Sequence, residues 1–480
     1  MAEVDLLQAL RQFNVHWETG TVSELIRRSP HVRRSFAHLR RRLPELPFEL
    51  LAGPRQVGKT TLMGHLMADL LQAGTPPERI LYVPLDYPSL ELEMQGHLAP
   101  LIKVYERFVL KEQLGKSPDL VYIFLDEIQS LPAWGQELKA LHDAYHPRVR
   151  VLATGSSSAA LLNPANADLP GRVDRSHIHP LKFSEVVHNA LPATEAVHEA
   201  ARSVRQAFAQ ADAATRSQLA AALESLYRLA IPFEADLQRQ LDVYLVRGGY
   251  PATQQPMDDQ AAFRFLENAI DTVISKDLKL YERIRKPGSF RAFLAKLAKE
   301  HGGKFVSAHY AKDLQLDKET PAAWKVVAEE LFLVHQLPQL NASFAVIPGR
   351  ADKAYIQDPG IRAFLAAASR ISDLETSGGI GHVVEGVLFD HLRRLQFNTL
   401  GNRNGRIGYW DKPELDFIVE LPKTFLAIEC KYRNAPGSAT KRLRDVTEGR
   451  DVIALAVTRN RFDLTGDVLE VPLWLFLLVA

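Results

Sequence analysis

The chain has 480 residues, 46% of them hydrophobic and 24% charged, the balance of an ordinary globular protein of about three domains. A net charge of +1 excludes a global field that would draw it to nucleic acid or membrane, so any basic surface must be local. Its one cysteine, Cys430, excludes an internal disulfide framework and a CxxC zinc pair, and fits a reducing cytoplasm. The start, Met1-Ala-Glu-Val-Asp5, lacks the basic and apolar regions of a signal peptide. The most apolar run, Val468 to Ala480, is too short to cross a bilayer and reads as a buried strand. A cytoplasmic protein with no membrane partner is expected.

Residues 1–46 form a basic N-terminal helical segment ahead of the first core strand. Seven arginines and no acid lie between Arg27 and Arg42. Val32, Phe36 and Leu39 recur at helical spacing, which predicts a helix with a basic face. Such a face contacts phosphates, or is solvated, or docks on acidic protein surface.

Residues 47–190 read as an α/β nucleotide-binding core. Gly53-Pro54-Arg55-Gln56-Val57-Gly58-Lys59-Thr60 fits the phosphate-loop pattern at every fixed position. An apolar strand from Phe48 to Ala52 leads into it, and an amphipathic helix from Thr61 to Gln72 follows. The glycines let successive N–H groups turn toward phosphate oxygens, and the helix N-terminus adds favourable partial charge. Lys59 would reach the β- and γ-phosphates of ATP, and Thr60 would offer its hydroxyl to Mg²⁺. Ile80 to Asp86 reads as a second strand. Leu120 to Leu125 is apolar throughout, as a parallel strand covered on both faces must be, and it ends in Asp126-Glu127. Acids at the carboxyl end of such a strand reach the ligand crevice. Asp126 would hold Mg²⁺, directly or through water, and Glu127 would polarise the attacking water.

A further strand, Arg148 to Thr154, ends in Gly155-Ser156, where Thr154 or Ser156 would set a hydroxyl between water and γ-phosphate. Arg172, with Arg175 second, is the candidate for an arginine given to a neighbouring subunit's γ-phosphate. A homo-oligomer, plausibly a ring, follows from that role. His142 with His146, and His177 with His179, lack a third ligand nearby and read as structural.

Residues 191–285 read as a helical lid or insertion, with helices over Ala193 to Gln210 and Thr215 to Leu229. Arg247-Gly-Gly-Tyr-Pro251 then breaks the helices, and Pro251 could press on the nucleotide base or simply end the helix. Residues 286–345 read as a winged helix-turn-helix: Ser289 to Lys299, then Val306 to Leu314 capped by Ser307, then a third helix opened by Thr320-Pro321, then a wing strand. Val326, Val327 and Leu331 are its expected buried side, and Trp324 and Lys325 would face DNA. Residues 346–480 form another α/β unit. Asp416 lies on one strand of a hairpin, with Glu429 and Lys431 on the other. Two carboxylates and a lysine on one surface can hold Mg²⁺ and aim a water at a phosphodiester, and Glu385 could add a third carboxylate.

GPRQVGKTT (53–61), FLDEIQ (124–129), ATGSS (153–157), RGGYP (247–251), DPG (358–360) and the ELDFIVE…AIECK pair together resemble one family. It is the prokaryotic AAA+ or STAND-like ATPases whose phosphate-loop domain precedes a domain of unknown function similar to PD-(D/E)XK nucleases. The resemblance implies an α/β fold class: a parallel-sheet AAA+ core, helical lid, winged-helix module and restriction-endonuclease-like C-terminal domain. Two functions follow. In one, ATP hydrolysis drives remodelling or translocation of DNA, gripped or cut by the last domain. In the other, ATP sets a regulatory switch that recruits a protein partner.

Overall fold

The computed structural model describes residues 2–27, 33–156, 174–212, 214–281, 284, 286–376, 379–401, 403–412, 414–432 and 436–480. They fall into two compact units, residues 1–179 with 330–332, and residues 180–329 with 333–480.

The first unit is built on β1 (Phe48–Ala52), β2 (Ile80–Pro84), β3 (Val121–Asp126), β4 (Val149–Gly155) and β5 (Asp174–His177). All pairings are parallel, in the order β2-β3-β4-β1-β5. Every residue of β1, β2 and β3 is buried, Glu49 and Asp126 included, as a parallel sheet covered on both faces requires. Because β4 lies between β1 and β3, its carboxyl end separates the phosphate loop from the acidic pair. β2 is an edge, and side chains from the N-terminal segment close it. Tyr82 N donates to Asn14 Oδ1 at 2.7 Å, and Asn14 Nδ2 donates to Tyr82 O at 2.8 Å. Trp17 Nε1 donates to Ile80 O at 2.8 Å. An edge strand so occupied offers no template to another chain.

The basic segment turns toward its own unit. Its helix spans Ser35–Arg42. Arg40 pairs with Asp69 at 2.8 Å, and Arg42 with Asp174 at 2.6 Å and Glu49 at 3.2 Å. Arg33 donates to Val57 O at 2.8 Å and to His179 O at 2.7 Å. Of the alternatives open to this arginine run, docking on acids is the one these pairs realise. Val32 lies outside the described residues.

The second unit holds a mixed sheet of β8 (Ile407–Asp411), β9 (Glu414–Glu420), β10 (Phe425–Lys431), β11 (Val452–Thr458) and β12 (Val468–Pro472), in the order β12-β11-β10-β9-β8. β8, β9 and β10 are antiparallel neighbours, and β10, β11 and β12 run parallel. The helices Glu195–Gln210, Arg216–Ala230 and Glu234–Arg247 bury Val204, Phe208, Leu223 and Leu241 in one core with Phe417, Ile428 and Leu455 of the sheet.

Val468 to Ala480 is not one strand. β12 stops at Pro472, and Leu473–Val479 is a helix with every side chain buried. Proline offers no N–H to continue a ladder, and a helix apolar on all sides belongs inside a core.

The three helices Pro287–Lys299, Ser307–Leu314 and Thr320–Glu330 precede an antiparallel pair, β6 (Val334–Leu337) and β7 (Lys353–Ile356). Trp324 and Lys325 do not face solvent as expected for DNA contact. Trp324 is buried edge-on to Phe290 and Phe293. Lys325 donates to Asp352 at 3.1 Å. Val326 is 48% exposed rather than buried, because the Trp324 ring takes the inward side of this helix. Ser307 does not cap its helix; its hydroxyl donates to Lys318 O at 2.8 Å.

The first residues of the second unit, 180–183, are gripped on all sides. Arg394 donates to Pro180 O at 2.8 Å, Leu181 N to Gly249 O at 2.6 Å, and the Tyr244 hydroxyl to Leu181 O at 3.0 Å. Phe183 N donates to His391 Nε2 at 3.1 Å. Gly249 N donates to Asp358 Oδ2 at 2.7 Å, so the RGGYP and DPG motifs meet here. A Cβ on Gly249 would collide with the Leu181 carbonyl. Gly249→Ala is therefore expected to cost the second unit about 2 kcal/mol, the usual price of overpacking against backbone. Gly288→Ala, where nothing lies within 4 Å of the added atom, is the control and should be neutral or slightly stabilising. Urea unfolding followed by tryptophan fluorescence reads both, and equal midpoints would refute the tight crossing.

Candidate functional site

The phosphate loop leaves β1 at Gly53, where a Cβ would collide with Ile178 O. Gln56 (φ +63°) and Gly58 (φ +90°) both adopt the left-handed region that turns the chain into the helix Lys59–Gln72. The first-turn N–H groups of that helix have no partner within it and carry partial positive charge. Pro54, Arg55, Val57 and Thr61 complete the loop and its entry to the helix. Lys59 is buried, and its Nζ donates to Gly53 O and to Pro54 O, each at 2.8 Å.

Across from the loop, one carboxylate gathers three strands. Asp126 Oδ2 accepts from the Thr60 hydroxyl at 2.7 Å and from the Tyr82 hydroxyl at 3.0 Å, and its Oδ1 accepts from Thr154. Thr154 Oγ1 also accepts from Glu127 N at 3.0 Å. Glu127 has a φ of +55°, a conformation rare for a side chain of its size. Gln129 Nε2 donates to Glu127 Oε2 and to Ser156 Oγ, the latter at 2.9 Å. Arg55 NH1 stands 3.9 Å from Glu127 Oε1. Burial alone would raise the Glu127 carboxyl, but Lys59, Arg55 and the bonds from Gln129 and Ser156 outweigh it and leave the group below the usual range. An ionised carboxylate beside a phosphate loop can accept a proton from water.

The structure thus brings Lys59, Thr60, Asp126, Glu127, Thr154 and Ser156 together and separates the two hydroxyls. Thr154 serves Asp126 and the Glu127 backbone, and Ser156 joins Gln129 and Glu127. Thr60 and Asp126 present hard oxygen donors within 2.7 Å of each other, a set that fits Mg²⁺. Tyr82 and Gln129 were missed from sequence. Gln129 was visible inside FLDEIQ, whereas Tyr82 is one aromatic in an apolar strand. Arg172 lies outside the described residues, and Arg175 is exposed on β5. The rings of His142 and His146 stack at 4.9 Å, and those of His177 and His179 at 6.0 Å. Pro251 begins a short turn of the second unit beside Gly249.

In the second unit, β9 and β10 pair Phe417 with Ile428, so one step on Asp416 comes opposite Glu429. Asp416 accepts from Cys430 N at 2.8 Å. Burial first, then the charges of Glu385 and Glu429, push the Asp416 carboxyl up to about 7. Glu429 is 1% exposed and pairs with Lys431 at 2.7 Å and with Arg442, from the helix Pro436–Thr447, at 2.8 Å. Among the described residues no group of three or more His, Cys, Asp or Glu is placed to hold a metal ion. The expected Asp416, Glu429 and Lys431 do come together. Glu429 is held by two cations here, Lys431 and Arg442.

Residues 47–187 match the family model described as an AAA domain, and residues 238–373 match one described as a domain of unknown function. Over 449 residues the chain is 25% identical to an uncharacterized protein of Mycobacterium tuberculosis, covering 92% of this chain and 83% of that one. An uncharacterized protein of Haemophilus influenzae is 20% identical over 392 residues, covering 80% and 82%. Among solved structures, the Walker-type ATPase of Pyrococcus abyssi is similar at 16% identity over 70% of this chain and 98% of that one, with a TM-score of 0.39. The ORC1 protein of Aeropyrum pernix in complex with DNA is similar at 14% identity over 72% and 95%, with a TM-score of 0.29. No helix among the described residues is long and apolar enough to cross a membrane. The AAA match falls on the residues that carry the phosphate loop and the Asp126–Glu127 pair, and the chain has an ATPase domain of AAA type.

Proposed function

We propose that this chain hydrolyses ATP with Mg²⁺ and uses the nucleotide state as a switch that recruits a protein partner. Thr60 and Asp126 would hold the ion, whose charge offsets that of the phosphates. Lys59 would leave its two loop carbonyls for the β- and γ-phosphates. Glu127 would take the proton of the attacking water, with Ser156 beside it.

One observation carries the switch. Arg33 ties the phosphate loop, through Val57 O, to the carbonyl of His179. The next residues along the chain, 180–183, are those gripped by Arg394, Gly249, Tyr244 and His391. A change at the loop therefore has a covalent path into the second unit. The third helix of the 286–345 segment supports a protein partner, since its exposed positions, Ala322 and Val326, carry no arginine or lysine. We read that segment as a winged helix used for packing.

A second reading, ATP-driven remodelling or translocation of DNA, is favoured by the last sheet. The order helix Ile380–Thr399, β8, β9, β10, helix Pro436–Thr447, β11, with Asp416, Glu429 and Lys431 on β9 and β10, is similar to that of PD-(D/E)XK nucleases. Lys441 and Arg444, exposed on that second helix, would suit a phosphate backbone, gripped without cleavage. Assembly into a ring belongs to this reading.

ATP turnover, with Lys59→Ala as the blank, is expected to ignore single-stranded, duplex and branched DNA at both low and moderate salt. A severalfold rise with any of them would hand the function to the second reading. The Asp416 site is tested separately. A buried carboxyl raised to about 7 keeps its proton below that pH, and the stability this gives is lost as pH climbs from the ordinary 3.8 toward 7. Asp416→Asn should then stabilise the second unit on the order of 2 kcal/mol at pH 8 and leave it unchanged at pH 4, with Mg²⁺ present throughout. A loss of stability at pH 8 that appears only with Mg²⁺ would reveal a metal site instead.

A further inference from the structure

Gln129 occupies the short turn Ile128–Ser130 that follows Glu127. Its Nε2 is committed to Glu127 and Ser156. Its Oε1 is shielded from solvent and has no hydrogen-bond partner among the described residues. Turning the amide over would set oxygen against the Glu127 carboxylate, so charge fixes the orientation and leaves the carbonyl as the empty acceptor. A buried acceptor without a donor is costly and rare. The surrounding backbone is held as well. Ser130 N donates to Glu127 O at 2.9 Å, and Glu127 N to Thr154 Oγ1 at 3.0 Å.

Oε1 and Nε2 share one carbon and lie roughly 2.2 Å apart, as amide geometry dictates, so the empty acceptor stands within a few ångströms of the Glu127 carboxylate. Water carries two hydrogens and can donate to both. We propose that Gln129 positions the lytic water, its Oε1 accepting one hydrogen while Glu127 accepts the other. The inference rests on the reading of Glu127 as the base. In the step, the water oxygen bonds to the γ-phosphorus as the bond from that phosphorus to the β–γ bridging oxygen breaks. The bridging oxygen leaves on ADP with the electron pair. The proton passes to Glu127, and the hydrogen held by Gln129 stays on the phosphate product. Glu127 alone would leave the water free to swing about one hydrogen bond, and the second acceptor removes that freedom.

The test uses the full chain and Mg²⁺–ATP. Gln129→Met keeps the length of the side chain and loses donor and acceptor. Gln129→Lys keeps a donor for Glu127, loses the acceptor and adds a positive charge beside the carboxylate. Both should lower kcat about tenfold to a hundredfold with KM and ATP affinity within about twofold, the size expected for one group that orders a reacting water. Gln129→Asn, which withdraws the amide by one methylene, should behave likewise and covers the case in which either variant fails to fold. Retained ATP binding reports folding in each. A lysine variant that turns over like wild type would overturn the proposal, because holding Glu127 would then suffice. Glu127→Gln is run beside them. If it binds ATP but does not turn over, the base reading stands and the Gln129 result decides on its own. If it turns over normally, the base reading falls first.

Discussion

Three hydroxyls, from Thr60, Tyr82 and Thr154, converge on the Asp126 carboxylate. A carboxylate taken out of water costs several kcal/mol unless its lone pairs are filled, and hydrogen bonds to a charged acceptor return roughly 1.5–3 kcal/mol each. The donors come from the helix after β1, from β2 and from β4. One side chain at the end of β3 therefore aligns the ends of its neighbours, and the rest of the candidate site takes its position from that. Thr154, held by Asp126, in turn accepts from Glu127 N and so keeps that residue at a backbone angle it would not choose alone. A cation taking the place of the hydroxyl proton between Thr60 and Asp126 would enter a frame already built.

The second unit has a parallel device. Asp358 is buried, and burial pushes its carboxyl up to about 6 against the pull of the Gly249, Ile361 and Gly360 N–H groups. It binds the RGGYP loop to the helix Pro359–Leu365, and only glycine at position 249 lets the Leu181 backbone pass. His391 completes the grip. Burial pushes it down to about 4, so the ring is neutral; Nδ1 donates to Val387 O, and Nε2 is left to accept from Phe183 N. The same burial that would punish a charged imidazole thus selects the tautomer that the chain needs.

Much of the first site was legible because its demands are local. Gly58 and Lys59 are dictated by a backbone that must bend and a cation that must follow, and the apolar run ending in Asp126 announces a buried parallel strand. Tyr82 and the Gln129–Ser156 bond depend on which strands are neighbours, and no spacing along the chain states that β4 enters between β1 and β3. The Asp416–Glu429 pair was legible for the opposite reason, since a hairpin sets its own register. Arg442 reaches Glu429 from a helix whose docking no local pattern specifies. Trp324 misled because an aromatic beside a lysine reads equally as a binding surface or a core. Phe290 and Phe293, on a different helix, decide it. Val468 to Ala480 misled because an apolar run without polar marks has no period, and only Pro472 hints at the change from strand to helix.

The arginines of the N-terminal segment read from sequence as a face for phosphates, solvent or acidic surface, and Arg33 donates to two carbonyls of its own unit. A guanidinium with planar, rigid donors is suited to holding two backbone segments at a set distance. One of those segments is the phosphate loop, whose Gly53 and Pro54 carbonyls hold Lys59. In the proposed reading a triphosphate would compete with these carbonyls for the lysine, at the point where Gly53 lies against Ile178. Ile178 N is itself bonded to Ala52 O at 2.7 Å, and His179, next along, is the residue Arg33 holds. Under the proposed switch, the cost of admitting nucleotide would fall on the two residues that precede Pro180. A ligand can bias a conformation only by binding its states unequally. In the proposed switch the unequal partner would be Lys59, which holds the loop carbonyls here and would hold the phosphates when nucleotide is bound.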